Sequence, residues 1–294
     1  MIVLAALLLT LLLTGWVLPR QLARTAWETR APRAAIASWA ALILTATTTS
    51  VMIVHRALTA DHHGRGPLGW LVPAALKGSA RGDYDHPQAF GLGLAAMAAL
   101  LGIVAAGWVR GARAQRRHRQ QLDLVGHPHD GGWLVLDSAV PAAWCVPGDG
   151  GRIVLTAGAL TLEARHREAV LAHEGAHLRG RHHLLTAAST ALGHRLRLLP
   201  AARLAGRRIP ALVEMAADDR ALRTTTPRAL AEALYLVATA GTPSGSLAAS
   251  GEATVERVRR LLAPAARLPR AARICWWAGA VVLPAVPVLI ACGP

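Results

Sequence analysis

Four long apolar stretches constrain this chain more than any other feature of its sequence. They cover residues 1–18, 34–54, 90–109 and 274–291, and none of them contains a charged residue. A helix that spans a bilayer needs about 20 predominantly apolar residues, within a range of roughly 17–25. With 53% hydrophobic residues and a mean hydropathy of +0.34, the chain is also too apolar for a purely soluble protein. The sequence therefore predicts four transmembrane helices. The first is expected to be a spanning helix rather than a signal peptide, because no basic residue precedes its apolar run.

The distribution of arginine predicts the orientation of these helices. Four arginines and one acidic residue separate the first two stretches, and five arginines follow the third within residues 110–119. The loop between the second and third stretches carries balanced charge. Since cytoplasmic loops are rich in basic residues, we expect a plasma-membrane protein whose two termini are extracytoplasmic and whose segment 110–273 is cytoplasmic. The lipid bilayer then accounts for much of the formal charge of +15, which leaves no need for direct binding to nucleic acid.

The cytoplasmic segment is long enough to fold as a domain of its own. Three short strands are predicted at 133–136, 142–146 and 152–156, with a hairpin turn between the second and the third. Helical periodicity follows, including helices over 210–222 and 228–238. We therefore predict three regions: 1–109 with three membrane helices, an α+β domain at 110–273, and a fourth membrane helix at 274–294. The three cysteines are far apart, so a disulfide framework or a cysteine zinc site is not expected.

One short motif in the predicted helical part carries chemistry. Residues 173–177 are His-Glu-Gly-Ala-His. Two histidines four residues apart lie on one face of a helix, so His173 and His177 can bind the same zinc ion. Glu174 lies about 100° further round the helix and can serve as the base that takes a proton from metal-bound water.

A catalytic zinc needs a third protein ligand, for which the sequence offers two candidates. Glu214 and Asp218 are also four residues apart, so Glu214 can ligate the ion while Asp218 holds the far nitrogen of a ligand histidine. The rival is His183, which completes the pattern H-E-x-x-H-x-x-G-x-x-H. That pattern requires the helix to stop at Gly180. We favour Glu214, because the apolar run after His183 predicts that the helix continues, and we expect His182 and His183 on the helix surface.

In these motifs the sequence resembles the BlaR/MecR-type antirepressor family of membrane zinc metallopeptidases. The resemblance is carried by AVLAHEGAHLRGRHHLL and EMAADDRAL, and by AWCVPGDGGRIVLTAGAL, which is similar to the hairpin before the active helix. It implies a gluzincin-like domain in which His173, His177 and Glu214 bind one catalytic Zn²⁺. It also implies that Glu174 is the base and that Asp218 supports the site. The sequence ends at Pro294 without the sensor domain of the antibiotic receptors, so we expect a short form without that mode of β-lactam sensing.

The resemblance predicts a metalloendopeptidase that cleaves a cytoplasmic protein, such as a BlaI-type transcriptional repressor in a signalling circuit. An HtpX-like protease for membrane-protein quality control is the alternative enzyme. A membrane signalling or scaffold protein with a structural zinc site is the alternative outside enzymes. Glu174 argues against the latter, because a structural site has no use for a base.

Overall fold

A computed structural model describes residues 2–59, 87–148, 150–240, 249–263 and 268–292. It is mostly helical. The N-terminal part holds α1 (Ile2–Leu12), a π-helical turn (Leu13–Val17), α2 (Leu18–Leu22), a 3-10 turn (Glu28–Arg30), α3 (Pro32–Thr59) and α4 (Pro87–Val125). A small sheet follows, made of β1 (His127–Pro128), β2 (Leu134–Leu136), β3 (Ala143–Val146) and β4 (Arg152–Thr156). The remaining elements are α5 (Ala157–Leu160), α6 (Ala164–Gly180), α7 (His182–Arg195), α8 (Pro200–Ala221), α9 (Pro227–Ala240), α10 (Ala249–Leu262), α11 (Arg270–Val282), a 3-10 turn (Leu283–Ala285) and α12 (Val286–Cys292).

Three helical stretches of the described chain are long and apolar enough to cross a membrane. They are Ile2–Leu22, Pro32–Val54 and Arg270–Ala291, which coincide with the first, second and fourth predicted spans. The third predicted span lies within α4, where several side chains of the first turns are outside the described set. Its crossing of the membrane, the division into three regions and the orientation of the termini remain predictions. Residues 60–86, which form most of the predicted outer loop, lie outside the described residues.

The sheet confirms the three predicted strands and the predicted hairpin. The strand order is β1-β2-β4-β3, with β3 antiparallel and β2 parallel to β4. Strand β3 lies at one edge of the sheet, and its Trp144 is paired in register with Val154. The predicted helices at 210–222 and 228–238 are present as α8 and α9, although α8 begins at Pro200 and passes through Pro210. After the end of α4 at Val125, segment 110–273 thus holds strands followed by helices.

The helix that carries His173 and His177 ends earlier than the sequence predicted. Helix α6 stops at Gly180, and Arg181 has a φ of 47°, the left-handed conformation that closes a helix. Helix α7 begins immediately at His182. The expectation of one continuous helix past His183 is therefore wrong. An apolar run shows that a segment is helical, but it does not reveal a one-residue change of direction within that segment.

Two glycines let α7 and α8 approach closely. A Cβ atom on Gly206 would lie 3.0 Å from both the Gly193 Cα and the Ser189 carbonyl oxygen, which are backbone atoms of α7. This crossing sets the position of α8 and therefore of Glu214 and Asp218. One hydrophobic cluster joins the two helices to α3, with Trp39 fully buried among Leu192, Ile209 and Val213.

We predict that Gly206→Ala lowers the free energy of unfolding by about 1–3 kcal/mol, because the added methyl group forces the two backbones apart. Gly102→Ala is the control, since nothing lies within 4 Å of a Cβ at that position of α4. It should be neutral or stabilising by up to about 1 kcal/mol through helix propensity. Equal unfolding midpoints of the two variants in detergent would contradict the close crossing.

Candidate metal centre

The structure brings His173, His177 and Glu214 together. The Nε2 atoms of the two histidines are 3.1 Å apart. Glu214 places Oε2 at 3.4 Å from His173 Nε2 and Oε1 at 3.5 Å from His177 Nε2. Among the described residues these three form a group whose potential ligand atoms all lie within 4.8 Å of one another. The two histidines come from α6 and the carboxylate comes from α8.

These distances suit a zinc ion. Zinc binds nitrogen and oxygen at roughly 2.0–2.2 Å, and two ligands of a tetrahedron with such bonds are separated by about 3.3 Å. The three separations of 3.1, 3.4 and 3.5 Å therefore form a triangle that matches one face of that tetrahedron. In catalytic zinc sites the fourth position is kept for water or substrate. Two imidazoles and one carboxylate are also common ligands of catalytic zinc.

His183 does not join this cluster. It is exposed, as predicted, and lines a neighbouring cleft. Its neighbour His182 is instead buried, contrary to our expectation of a surface position, with Nδ1 at 3.3 Å from His177 Nδ1. The turn at Arg181 explains the difference, because it folds the His182 ring back over Gly180, where a Cβ would lie 2.3 Å from the ring. Burial is the main cause that lowers the pKa of His182 to about 4, and the charge of the nearby His177 lowers it further. A neutral His182 can accept a hydrogen bond from His177 Nδ1 and fix the orientation of that ring.

Asp218 lies behind the other histidine. Its side chain is fully buried, and Oδ1 is 3.0 Å from His173 Nδ1. Asp218 thus occupies the supporting position that the sequence indicated, on the nitrogen that faces away from the proposed metal. Burial alone lowers the pKa of His173, but hydrogen bonds to Asp218 and Glu214 outweigh it and raise the pKa to about 9.

Sequence reasoning missed one residue of this site, Arg257 of α10. Its Nε and one terminal nitrogen donate to the two Asp218 oxygens at 2.8 and 2.7 Å, and its other terminal nitrogen is 3.0 Å from Glu214. This bidentate contact matches the planar geometry of the guanidinium group. Its positive charge offsets the free-energy cost of burying the Asp218 carboxylate. Arg257 comes 39 residues after Asp218, and no local pattern marks it among the many arginines of the chain.

Glu174 lies next to the three potential zinc ligands and is not one of them. It is half-buried, and burial raises the pKa of its carboxyl group even though His173 and His177 act in the opposite direction. The Cys145 thiol of β3 interacts with it. Burial and the Glu174 charge raise the pKa of that thiol to about 12, so Cys145 is a neutral neighbour and not a thiolate ligand.

Comparison with known proteins identifies the kind of domain that surrounds this site. Residues 110–240, which include the HExxH motif and Glu214, match the model of Peptidase family M48. This match indicates a metallopeptidase, a hydrolase of peptide bonds. Searches of the curated proteins and of the solved structures gave no match. The resemblance to the BlaR/MecR type is not tested by the M48 match and remains a prediction.

We predict that Arg257→Met destabilises the protein by about 3–5 kcal/mol, because it leaves the buried Asp218 charge without its main partner. The unfolding midpoint of the full chain in detergent measures the effect. Adding Asp218→Asn to Arg257→Met should recover much of the loss, since the uncompensated charge is then gone. Arg228→Met is a matched control, because Arg228 is an exposed partner of Glu232 and its removal should leave the midpoint near that of the wild type. A wild-type midpoint for Arg257→Met would refute the pairing.

We also predict that zinc binding is coupled to proton release. With a pKa of about 9, His173 is protonated at neutral pH in the metal-free protein, and zinc must displace that proton. The apparent zinc affinity should therefore fall by about ten-fold for each pH unit below 9, with about one proton released from His173. Calorimetric titration in buffers of different ionisation enthalpy measures the proton. Asp218→Asn removes a group that raises this pKa and should weaken the pH dependence. An affinity unchanged between about pH 6.5 and 8.5 would contradict the coupling.

Proposed function

We propose that this protein is an integral membrane zinc metalloendopeptidase that cleaves a cytoplasmic protein. The observation that supports this most is the triangle of His173, His177 and Glu214, whose sides of 3.1–3.5 Å match one face of a zinc tetrahedron. A structural zinc site would be closed by a fourth protein ligand. This centre instead has a half-buried carboxylate, Glu174, beside three ligands.

The residues of the chain divide the chemistry among them. His173, His177 and Glu214 would hold a zinc ion, which would polarise the scissile carbonyl and increase the acidity of a water molecule. Glu174 takes the proton of that water and passes it to the departing amine, and its raised pKa suits a group that must both accept and donate. Asp218 contacts His173 Nδ1 and orients that ring, and His182 contacts His177 Nδ1 and orients the second ring.

The substrate is proposed to bind as an added strand on β3. Within the described sheet β3 pairs only with β4, so its other edge has no strand partner there, as the addition of an extended peptide requires. Trp144 and Cys145 of β3 are half-buried rather than fully covered. Cys145 also touches Glu174, which puts the strand next to the proposed base. Strand addition recognises the backbone, so it places a peptide bond at the centre without selecting a particular sequence.

The identity and location of the substrate rest on the sequence. The resemblance to the BlaR/MecR type suggests a BlaI-type repressor, and the arginine distribution suggests that segment 110–273 faces the cytoplasm. The orientation can be tested in intact cells by introducing cysteines into the loops of the protein and labelling them with a reagent that does not cross the membrane. Labelling of a cysteine at position 150 from outside would overturn the cytoplasmic placement of segment 110–273.

We predict one zinc ion per chain in detergent-purified wild type, loss of that ion in Glu214→Ala, and retention in His183→Ala. Glu174→Gln should keep the ion and lose peptide hydrolysis by at least about 100-fold, because it removes the proton acceptor alone. Metal analysis and cleavage of a candidate repressor measure the two properties.

Which variants lose zinc and which lose hydrolysis distinguishes the two ligand sets and the enzyme from a non-enzymatic protein. Zinc lost with His183→Ala and kept with Glu214→Ala would favour the rival ligand set. A fully active Glu174→Gln variant, or a wild type that takes up no zinc, would exclude the proposed hydrolase.

A further inference from the structure

A large cleft leads away from the metal centre between α4 and α7. Its volume is about 770 Å³, within the range of about 300–1,000 Å³ typical of ligand sites. His177 and Glu214 lie in its wall together with Cys145 of β3. Most of the remaining wall consists of successive turns of α4 and α7. A substrate at the metal centre therefore extends into this cleft.

The side chains of the cleft give it strong positive charge. Four arginines line it: Arg110, Arg116 and Arg119 of α4, and Arg195 of α7. Among the residues that the structure describes, the only carboxylate in the lining is Glu214, which already faces two histidines and Arg257. Within the described part of the chain, Arg110, Arg116 and Arg195 have no ion-pair partner. Their charges are available to a bound molecule.

Two contacts join the helices that form the walls. The Trp108 indole of α4 donates to the Leu184 carbonyl of α7 at 2.9 Å. At the preceding residue of α4, a Cβ atom on Gly107 would lie 2.8 Å from Ala191 Cβ, about two turns further along α7, so the helices are in direct contact there. The arginines thus extend from two helices that pack against each other, and charge gathered in a cleft with low-dielectric walls acts more strongly than on an open surface.

We infer that the cleft between α4 and α7 is a specificity subsite for acidic side chains of the peptide substrate. The inference rests on the proposed function and names the substrate class: segments with Asp or Glu close to the bond that is cut. Anionic lipid headgroups offer similar charge, and Arg110 lies close to the apolar end of α4. The peptide is favoured because the same cleft opens onto Glu214 and His177, where hydrolysis takes place.

The test uses fluorescein-labelled decapeptides of Ala and Ser that carry Glu, Gln or Lys at the central positions. Zinc-loaded wild type should cleave the Glu peptides with a kcat/KM about two- to five-fold above the Gln peptides for each pair formed. The Lys peptides should be cleaved more slowly than the Gln peptides. The preference should shrink from about 0.05 to 0.5 M salt, as expected for charges that are partly exposed to solvent.

Charge reversal in the cleft should invert this order. Arg116→Glu and Arg195→Glu should favour the Lys peptides. Arg113→Glu and Arg197→Glu are matched controls that should leave the preference unchanged, because these exposed arginines lie outside the cleft lining. The same peptides are bound to the Glu174→Gln protein and followed by fluorescence anisotropy, which reports the preference without any hydrolysis.

Three results would overturn the inference. Equal cleavage and binding of Glu, Gln and Lys peptides would exclude an acidic subsite and leave the proposed peptidase intact. A loss of binding to short-chain phosphatidylserine by the detergent-solubilised arginine variants, at unchanged peptide preference, would assign the arginines to the membrane surface. Controls that shift as far as the cleft variants would show an effect of net charge alone. If no peptide is cleaved but the Glu peptides bind selectively, the subsite stands and the proposed hydrolysis fails.

Discussion

The Asp218 carboxylate is fully buried among three helices, and the candidate site depends on how its charge is compensated. His173 of α6 approaches from one side and the Arg257 guanidinium of α10 forms a fork on the other. An unpaired charge at this depth would cost several kcal/mol, so α6, α8 and α10 are held together by one electrostatic requirement. The same contacts orient the His173 ring. The features that make the centre suitable for a metal are therefore also features that stabilise the fold.

A second buried carboxylate lies where the N-terminal helices meet segment 110–273. Glu28, between α2 and α3, is almost fully buried and accepts from the Trp39 indole at 2.8 Å. Burial raises its pKa. Arg208 of α8 lies 3.9 Å from it, and Arg260 of α10 donates to the Thr29 carbonyl at 2.6 Å. Arg260 also pairs with Asp219, next to Asp218. Displacement of this loop would therefore act directly on the two helices that carry Glu214 and Arg257.

The sequence was most informative where chemistry depends on spacing along one helix. The pairs His173/His177 and Glu214/Asp218 could be placed because four residues complete about one turn, and the strands could be placed from short apolar runs between glycines. Two features lay beyond such reasoning. Arg257 is recruited over a distance of 39 residues, so only the tertiary fold brings it to Asp218. The turn at Arg181 places a non-glycine residue in a left-handed conformation, which is uncommon for such residues.

The position of Arg257 in the chain has a consequence for biosynthesis. It follows His173 by 84 residues, so the HExxH helix leaves the ribosome well before the arginine that completes its surroundings. Until α10 docks, Asp218 lacks its guanidinium partner and cannot be buried as a charged group at low cost. The centre is therefore assembled late, after most of the peptidase segment has been synthesised. A hydrolase of this design is incomplete during the period when its own nascent chain is extended and most exposed to cleavage.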